Sequence, residues 1–322
     1  MTDLRERLEI HQVPIYFAAI CAAVLCAVTL PHTSRLEQVI NPALAFMLFV
    51  TFLQVPMSEL RQAFTRMRFL GALMCANFVA IPLVVAGLVQ FLPDDPLVRL
   101  GVLLVLLTPC IDYVVTFSHL GRADAKLLLA ATPTLLILQM VLLPVYLKLF
   151  LGEASADLIR LEPFVDAFVW LIALPLALAA LLQVWAARST TGSHISARLG
   201  LAPVPATALV LFIVVVAVLP QLGAALDTAV RVIPIYMAFA VAAPVAGWLV
   251  ARWFGLGAPA GRSVAFSAAT RNSLVVLPLA LAVPGAVPML PAIIVAQTMV
   301  ELVSELIYVR VSLSLGRGLS AE

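Results

Sequence analysis

Ten apolar stretches, each close to the length of a membrane-crossing helix, follow one another along this chain of 322 residues. A helix needs about 20 apolar residues to cross the hydrocarbon core of a bilayer. The predicted spans are residues 14–32, 41–60, 70–92, 97–120, 126–151, 163–187, 205–225, 229–251, 263–284 and 288–311. Because most connections between them are short, we predict an all-α integral membrane protein with ten transmembrane helices and no separate soluble domain.

The composition excludes a water-soluble fold and offers no enzymatic site. Hydrophobic residues make up 63% of the chain and charged residues 11%, against about 45–50% and roughly 25% in a soluble domain. The sequence has no Gly-rich phosphate loop, HExxH or CxxC motif and no basic patch. We therefore predict no enzymatic activity, no cofactor, no metal and no nucleic-acid partner. The four cysteines lie in apolar runs, so structural disulfides are not expected.

Positively charged residues give the expected direction of the spans, because cytoplasmic loops carry an excess of Lys and Arg. With the N-terminus inside, thirteen basic residues fall on the cytoplasmic side and five on the outer side. The cytoplasmic set is Arg5, Arg7, Arg61, Arg66, Arg68, Arg122, Lys126, Arg188, Arg198, Arg252, Arg262, Arg310 and Arg317, and the outer set is Arg35, Arg99, Lys148, Arg160 and Arg231. We therefore expect a multi-pass protein of the cell (inner) membrane with both termini in the cytoplasm.

The two halves of the chain resemble each other faintly. The second and seventh spans open on Pro42 and Pro205, which are 163 residues apart. The same offset carries Pro109 of the fourth span onto Asn272, inside the polar interruption of the ninth span. Because each half has five spans, the second must enter the bilayer upside down, and inverted repeats with interrupted helices are typical of secondary transporters. The predicted repeats are residues 1–155 and 156–322.

The fourth and ninth spans contain helix-breaking residues. Pro109 removes a backbone donor and clashes with the preceding turn, whereas Thr270, Asn272 and Ser273 compete for backbone hydrogen bonds. Irregular backbone at membrane depth survives only when it is buried in protein or lines a wet cavity. We predict that helices 4 and 9 are broken and cross near the bilayer midplane, at a shared site. The alternative is two ordinary kinks.

Four ionisable residues lie inside the spans, where each costs about 2.5–3.5 kcal/mol to insert. Asp112 and Arg271 lie beside the two breaks, so we expect them to approach one another, either as substrate-binding groups or as a static ion pair. Glu301 and Glu305 are four residues apart on one face of the tenth span. Because burial disfavours a charged carboxyl, Glu301 is the first candidate for proton coupling and Asp112 the second. For Glu305, solvation near the inner mouth is the alternative.

Cys110 lies next to the break of the fourth span. A free buried cysteine often packs as a small hydrophobe, and that alternative stays open. A thiol at a substrate site would favour soft, thiophilic cargo over hard ions. The predicted substrate-binding residues are therefore Cys110, Asp112, Arg271 and Asn272.

Ten spans, five-plus-five inverted symmetry and polar breaks in spans four and nine resemble the bile acid/arsenite/riboflavin transporter superfamily, and most of all its arsenite efflux permease branch. In that branch a cysteine of span four and a glutamate of span ten are required for transport. Cys110 of TPCIDYVV and Glu301 of AQTMVELVSEL stand in the matching places. The resemblance implies export of trivalent arsenic, and often antimonite, in exchange for protons. Asp112 and Arg271 depart from that branch, which leaves the cargo open.

The sodium-coupled bile acid branch is the runner-up. Its span-nine signature carries a sodium-binding glutamate and then adjacent glutamine and asparagine. Here Ser267 stands at the glutamate position and Arg271 at the glutamine position, while Asn272 matches. A polar pair of span four is replaced by Val114 and Val115. Sodium is a hard cation that prefers oxygen ligands, so we expect degenerate sodium sites, with Arg271 holding the crossing helices together in place of sodium.

Three hypotheses for the function remain open on sequence alone. The first is a proton-coupled exporter of arsenite or a similar small neutral hydroxide. The second is a sodium- or proton-coupled organic-anion symporter of the bile acid type, in which Arg271 would clamp a substrate carboxylate. The third is a non-transporting membrane receptor or assembly subunit. The sequence leaves the oligomeric state undetermined.

Overall fold

Apolar helices form nearly all of the regular structure in the described part of the chain. The structure is a computed structural model. It describes residues 2–30, 36–54, 66–111, 113–152, 166, 169–220, 225–281, 283, 285 and 288–312.

Helices of the first half cover most of its predicted spans. They are α1 (Thr2–Ile10), α2 (Gln12–Thr29), α3 (Glu37–Phe52), α4 (Met67–Val89), α5 (Pro96–Leu106), α6 (Val114–Leu120) and α7 (Ala125–Leu151). Within α4, one turn over Ala76–Ala80 is π-helical. Such π turns inside α-helices often mark functional sites.

Helices of the second half follow the same order. They are α8 (Leu174–Ala186), α9 (Thr190–Leu199), α10 (Pro203–Val218), α11 (Leu226–Trp253), α12 (Ala258–Ala269), α13 (Ser273–Leu281) and α14 (Met289–Ser312). A π-helical turn, Val169–Ala173, precedes α8.

Several helices are long and apolar enough to cross a membrane. Among the described residues, α2, α4, α7, α11 and α14 each meet that condition alone, and α9 with α10 forms a further candidate that is bent by 45°. Each of the ten predicted spans coincides with at least one helix. The protein is therefore a multi-pass, all-α membrane protein, and the number of ten crossings stays a prediction.

Local sequence explains where α5, which leads to the first break, and α7 begin. The Asp95 carboxylate accepts hydrogen bonds from the backbone N–H groups of Leu97 and Val98, at 2.9 and 3.3 Å. Pro96 occupies the first turn of α5, where its missing N–H has no intrahelical role. Asp124 caps α7 in the same way through the N–H of Leu127, at 3.2 Å.

The two predicted breaks are present, and they pair with each other. The Cys110 N–H donates to the Thr270 carbonyl at 3.1 Å, and the Asn272 N–H donates to the Thr108 carbonyl at 2.9 Å. Between these two bonds, one isolated antiparallel bridge joins the breaks. The broken span α5–α6 therefore crosses the broken span α12–α13 at this point.

The helix positions of the two halves correspond along the chain. α5 begins at Pro96 and α12 at Ala258, each with a proline in its first turn. The shift between these starts is one residue shorter than the predicted offset of 163. The same shift carries Cys110 onto Asn272 and Thr108 onto Thr270. It therefore turns one hydrogen bond of the crossing into the other, as expected for a local two-fold axis. These correspondences support the inverted repeat, which stays a prediction.

The helices pack as two groups, and the crossing lies inside one of them. α2, α3, α8 and α10 pack together, whereas α4, α5, α7 and α11–α14 form the second group. Close approach of α11 to α12 depends on Gly247, where a Cβ atom would lie 2.6 Å from the Cβ of Ala268. The residues of the crossing are accordingly buried.

Candidate functional site

The Arg271 side chain is fully buried at the crossing and is surrounded by neutral oxygen atoms. Its Nη2 donates to Asn77 Oδ1 at 2.9 Å and to the carbonyls of Ser267 and Ala268, at 2.5 and 2.7 Å. Its Nη1 donates to the Leu106 carbonyl at 3.4 Å. These partners belong to α4, α5 and α12, so one guanidinium links three helices.

Hydrogen bonds are what make a buried guanidinium tolerable. A charge in a low-dielectric interior is costly unless it is paired and hydrogen-bonded, and a guanidinium cannot shed its proton in normal function. The Phe239 ring adds a further contact, with its centroid 5.6 Å from Arg271 Cζ. Arg271 Nε has no partner among the described residues.

Asn77 is a site residue that the sequence analysis missed. It lies in the π-helical turn of α4 and is completely buried. Besides accepting from Arg271, it donates through Nδ2 to the Leu73 carbonyl at 3.1 Å and to Ser267 Oγ at 2.9 Å. A single amide within the apolar run CANFVAIP was the available signal, because polar side chains inside spans usually face a functional interior.

Glu301 receives hydrogen bonds from three donors at the crossing. Its Oε2 accepts from the Arg271 backbone N–H at 2.7 Å and from Gln297 Nε2 at 2.6 Å. Its Oε1 accepts from the Tyr113 hydroxyl. Ser273 in turn donates to Gln297 Oε1. The Tyr113 hydroxyl also lies 3.3 Å from the Arg271 carbonyl oxygen. Hydrogen bonds from donors stabilise a carboxylate as an anion, so these contacts favour the ionised form of Glu301 beside the two breaks.

Glu305 lies one turn further along α14 and has a different environment. Its side chain is fully buried, so the solvated position considered in the sequence analysis is wrong. Its Oε1 contacts the Thr270 hydroxyl, and its Oε2 has no partner among the described residues. The two glutamates of α14 therefore share a helical face but not an environment.

The remaining predicted site residues take different places. Asn272 caps α13, because its Oδ1 accepts from the Val275 N–H at 3.2 Å, and its Nδ2 has no described partner. Pro109 bridges to Arg271, and the Cys110 thiol is buried and not in a disulfide. Asp112 lies outside the described residues, so its approach to Arg271 stays a prediction.

Two cavities meet beside the crossing, between the two helix groups. One has a volume of about 560 Å³ and the other about 200 Å³, and Thr51 and Ile111 line both. His119 and Lys126 line the larger cavity, whereas the smaller one is almost wholly apolar. Ile111 directly follows Cys110 in the sequence, whereas Cys110 itself is not among the residues that line these two cavities.

Comparison with protein families adds one finding to this geometry. The sequence model of the family described as "Sodium Bile acid symporter family" matches residues 41–226, which is more than half of the chain. No curated protein matches the chain. The members of the matched family are transporters and not enzymes. The match covers the first break, together with the cavity-lining residues Thr51 and Ile111.

Proposed function

Since this chain belongs to the sodium bile acid symporter family, we propose that it is a proton-coupled secondary transporter that exports arsenite, antimonite or a similar small neutral solute. Membership of a transporter family leaves the receptor or assembly-subunit hypothesis without support. The proposed setting is the cell membrane, with both termini in the cytoplasm.

The observation that carries the proposal is the oxygen-lined position of the Arg271 guanidinium. Carbonyl and amide oxygens are the ligands that a hard cation such as sodium prefers. Here they are already occupied by a cation that cannot leave, because Arg271 is part of the chain. A permanent charge at this place supports a transporter that does not bind sodium there and that takes its driving force from protons.

Glu301 is the proposed coupling residue. It lies at the crossing, where a protonation change would weaken the hydrogen bonds from Tyr113, Gln297 and the Arg271 backbone. Loss of those bonds would free α14 from both breaks, and a transporter alternates its access by such movements of one group of helices against another. Asp112 stays a second candidate for proton coupling on sequence grounds alone.

Cys110 supports a soft cargo. The thiol is buried, and its sequence neighbour Ile111 lines both cavities. Thiols prefer soft elements such as trivalent arsenic. Arsenite is uncharged near neutral pH, so its passage would require no counter-charge. The buried guanidinium, which neutral oxygens already engage, then acts as a strut between helices and not as a ligand.

An organic-anion symporter is the second candidate, and one observation favours it. Lys126, His119 and Arg5 line the larger cavity, where a carboxylate could bind them. Arg5 is already engaged by Glu9 at 2.7 Å, which leaves Lys126 as the main candidate partner. In this alternative Lys126, and not Arg271, would be the anion-binding residue.

A Cys110→Ser variant in an arsenite-sensitive cell tests the cargo. We expect loss of resistance at normal expression, while Cys75→Ser, the matched control in α4, retains it. Unchanged resistance in Cys110→Ser would favour the organic-anion candidate. Uptake into proteoliposomes with and without a sodium gradient tests the coupling, and strict sodium dependence would contradict the proposal.

A further inference from the structure

Glu305 is a buried carboxyl group for which the proposed mechanism has no role. It is completely buried on α14, one helical turn or about 6 Å beyond Glu301. No described basic side chain forms an ion pair with it, and its Oε2 has no hydrogen-bond partner among the described residues. An ionised carboxylate in such a place would be costly, because a buried charge requires a partner.

The contacts of the Thr270 hydroxyl favour a proton on Glu305. Thr270 Oγ1 lies 2.7 Å from the Phe266 carbonyl oxygen and also contacts Glu305 Oε1. A hydroxyl has a single proton to donate. If Thr270 donates it to Phe266, the contact with Glu305 is favourable only when the carboxyl group donates to Thr270. The geometry is therefore satisfied by a neutral glutamic acid.

Other titratable groups near this part of α14 have partners of their own. Tyr308 donates to the Ala240 carbonyl, Tyr236 donates to the Ile293 carbonyl at 3.2 Å, and Tyr113 donates to Glu301. The Arg271 side chain donates to neutral oxygens on the other side of the break. Glu301 itself is the nearest like charge on the helix, and like charges four residues apart repel.

From this arrangement we propose that Glu305 is a second proton-binding site of the transporter and holds its proton in the conformation described here. This inference rests on the proposed proton coupling, since it names where the coupling proton resides. Glu301 is the anion and Glu305 the acid, so the pair holds one proton between them. Two carboxyl groups with opposed environments are how proteins separate an acid from a base.

Thr270 connects this proton to the crossing. Its hydroxyl contacts Glu305, and its carbonyl accepts the hydrogen bond from the Cys110 N–H at 3.1 Å. Loss of the proton would place a carboxylate against the Thr270 hydroxyl and compel that hydroxyl to turn away from Phe266. Proton release from Glu305 would thus change the hydrogen bonding of Thr270, the residue whose carbonyl pairs the two breaks.

Infrared spectroscopy of the full-length protein in lipid tests the proton site without any cargo. A protonated carboxylic acid has a C=O stretching band that a carboxylate lacks. We expect this band in the wild type near neutral pH, its loss in Glu305→Gln and its retention in Glu301→Gln. Absence of the band from the wild type, its persistence in Glu305→Gln or its loss in Glu301→Gln would overturn the proposal.

A matched pair of threonine variants provides the control for folding. Thr108 corresponds to Thr270 in the first break, and its hydroxyl likewise lies 2.7 Å from a carbonyl four residues earlier, that of Leu104. We expect Thr270→Val to shift the acid band, because Glu305 loses its partner, and Thr108→Val to leave it in place. Equal behaviour of the two variants would contradict a proton on Glu305.

Transport assays separate this inference from the proposed function. In proteoliposomes, Glu305→Gln should retain exchange of arsenite against arsenite. Its flux driven by a pH gradient should fall by at least about tenfold, which corresponds to about 1.4 kcal/mol in the transport barrier. Unchanged pH-driven flux in Glu305→Gln would refute the role of Glu305. If the wild type moves no arsenite, the proposed cargo is wrong, while the infrared result still decides where the proton lies.

Discussion

The two breaks have the same backbone arrangement and opposite side-chain chemistry. In both, a threonine precedes the bridge, and its hydroxyl lies 2.7 Å from the carbonyl four residues earlier. In both, the third residue donates its N–H to the threonine of the other break. The residue in the middle of each break differs. In the first break it is Pro109, which has neither a charge nor a backbone N–H, and in the second it is Arg271, which has both.

Two buried residues that correspond between the halves, Gln139 and Glu301, also differ in charge and in hydrogen bonding. The shift that relates the two breaks carries Gln139 of α7 onto Glu301 of α14. Gln139 is almost completely buried, and neither its Oε1 nor its Nε2 has a partner among the described residues. Glu301 receives the Arg271 N–H, and the corresponding Pro109 has no N–H to give. Among the described residues, the two halves therefore share a backbone design, while the buried charged side chains beside the crossing belong to the second half.

Among the variants that test this comparison, Arg271→Gln should have the largest effect on stability. The variant leaves Asn77 and several buried carbonyls without their cationic donor, at a cost of about 1–3 kcal/mol for each unsatisfied group. We expect a large fall in the thermal unfolding temperature in detergent, partly restored by sodium but not by choline, because sodium can bind the vacated oxygens.

Arg99→Gln is the matched control for that variant. Arg99 pairs with the exposed Asp94, and surface ion pairs contribute only about 0–1 kcal/mol. If Arg271→Gln were no more destabilising than Arg99→Gln, or if choline restored stability as well as sodium, the guanidinium would not be a substitute for a bound cation.

Glu301→Gln should have the next largest effect. An amide presents one oxygen where the carboxylate presents two, so at least one of the three donors loses its acceptor. Hydrogen bonds to a charged group are worth about 1.5–3 kcal/mol each, and we expect a loss of this order in the free energy of unfolding. Transport should fall by at least about tenfold because Glu301 is the proposed coupling residue, and such a fall corresponds to an increase of about 1.4 kcal/mol in the transport barrier.

Chemical denaturation and flux through proteoliposomes measure these two effects separately. Glu37→Gln, on α3 in the other helix group, is a suitable control for the loss of one carboxylate. Wild-type stability and flux in Glu301→Gln would show that the anion at the crossing has no role, and the contrast between the two halves would then lack a functional meaning.

Much of the fold was accessible from the sequence because the bilayer imposes simple rules. Spans of about 20 apolar residues predicted where the helices lie, and α7 was placed within one residue at its start. Pro109 and the polar run around Asn272 predicted both breaks, since each weakens the helical hydrogen-bond pattern locally. The start of α3 was less accurate, at residue 41 instead of Glu37, because long apolar runs do not show where a helix begins.

The partners within the site were much harder to predict. Asn77 and Tyr113 contact Arg271 and Glu301 across 194 and 188 residues of sequence, and no local spacing could reveal these contacts. Only Gln297, four residues before Glu301 on α14, has a spacing typical of a helical pair. Solvation of Glu305 was an alternative that its depth along the helix left open, but its side chain is buried, α11 packs against α14, and Thr270 contacts its carboxyl group. Burial in a bundle depends on neighbours, which a single sequence does not specify.

Thr270→Val and Thr108→Val form a comparison with a smaller expected effect on stability. Each variant removes one hydroxyl bond to a local carbonyl, worth about 1 kcal/mol. Only Thr270→Val also removes the partner of Glu305, so we expect it to be more destabilising than Thr108→Val by about another 1 kcal/mol. Urea unfolding of the two variants in parallel measures the difference, and equal losses would show that the hydroxyl contact with Glu305 contributes nothing.

Gln139→Leu should have the smallest effect, and its sign is informative. Replacement of a buried, unpartnered amide by an apolar group of similar size removes a desolvation penalty and can be neutral or stabilising. We expect the free energy of unfolding to stay the same or to rise slightly in Gln139→Leu, whereas the corresponding Glu301→Leu should be strongly destabilised. A marked loss of stability in Gln139→Leu would show that the first half also contains a polar network, because an amide that contributes stability must have a partner.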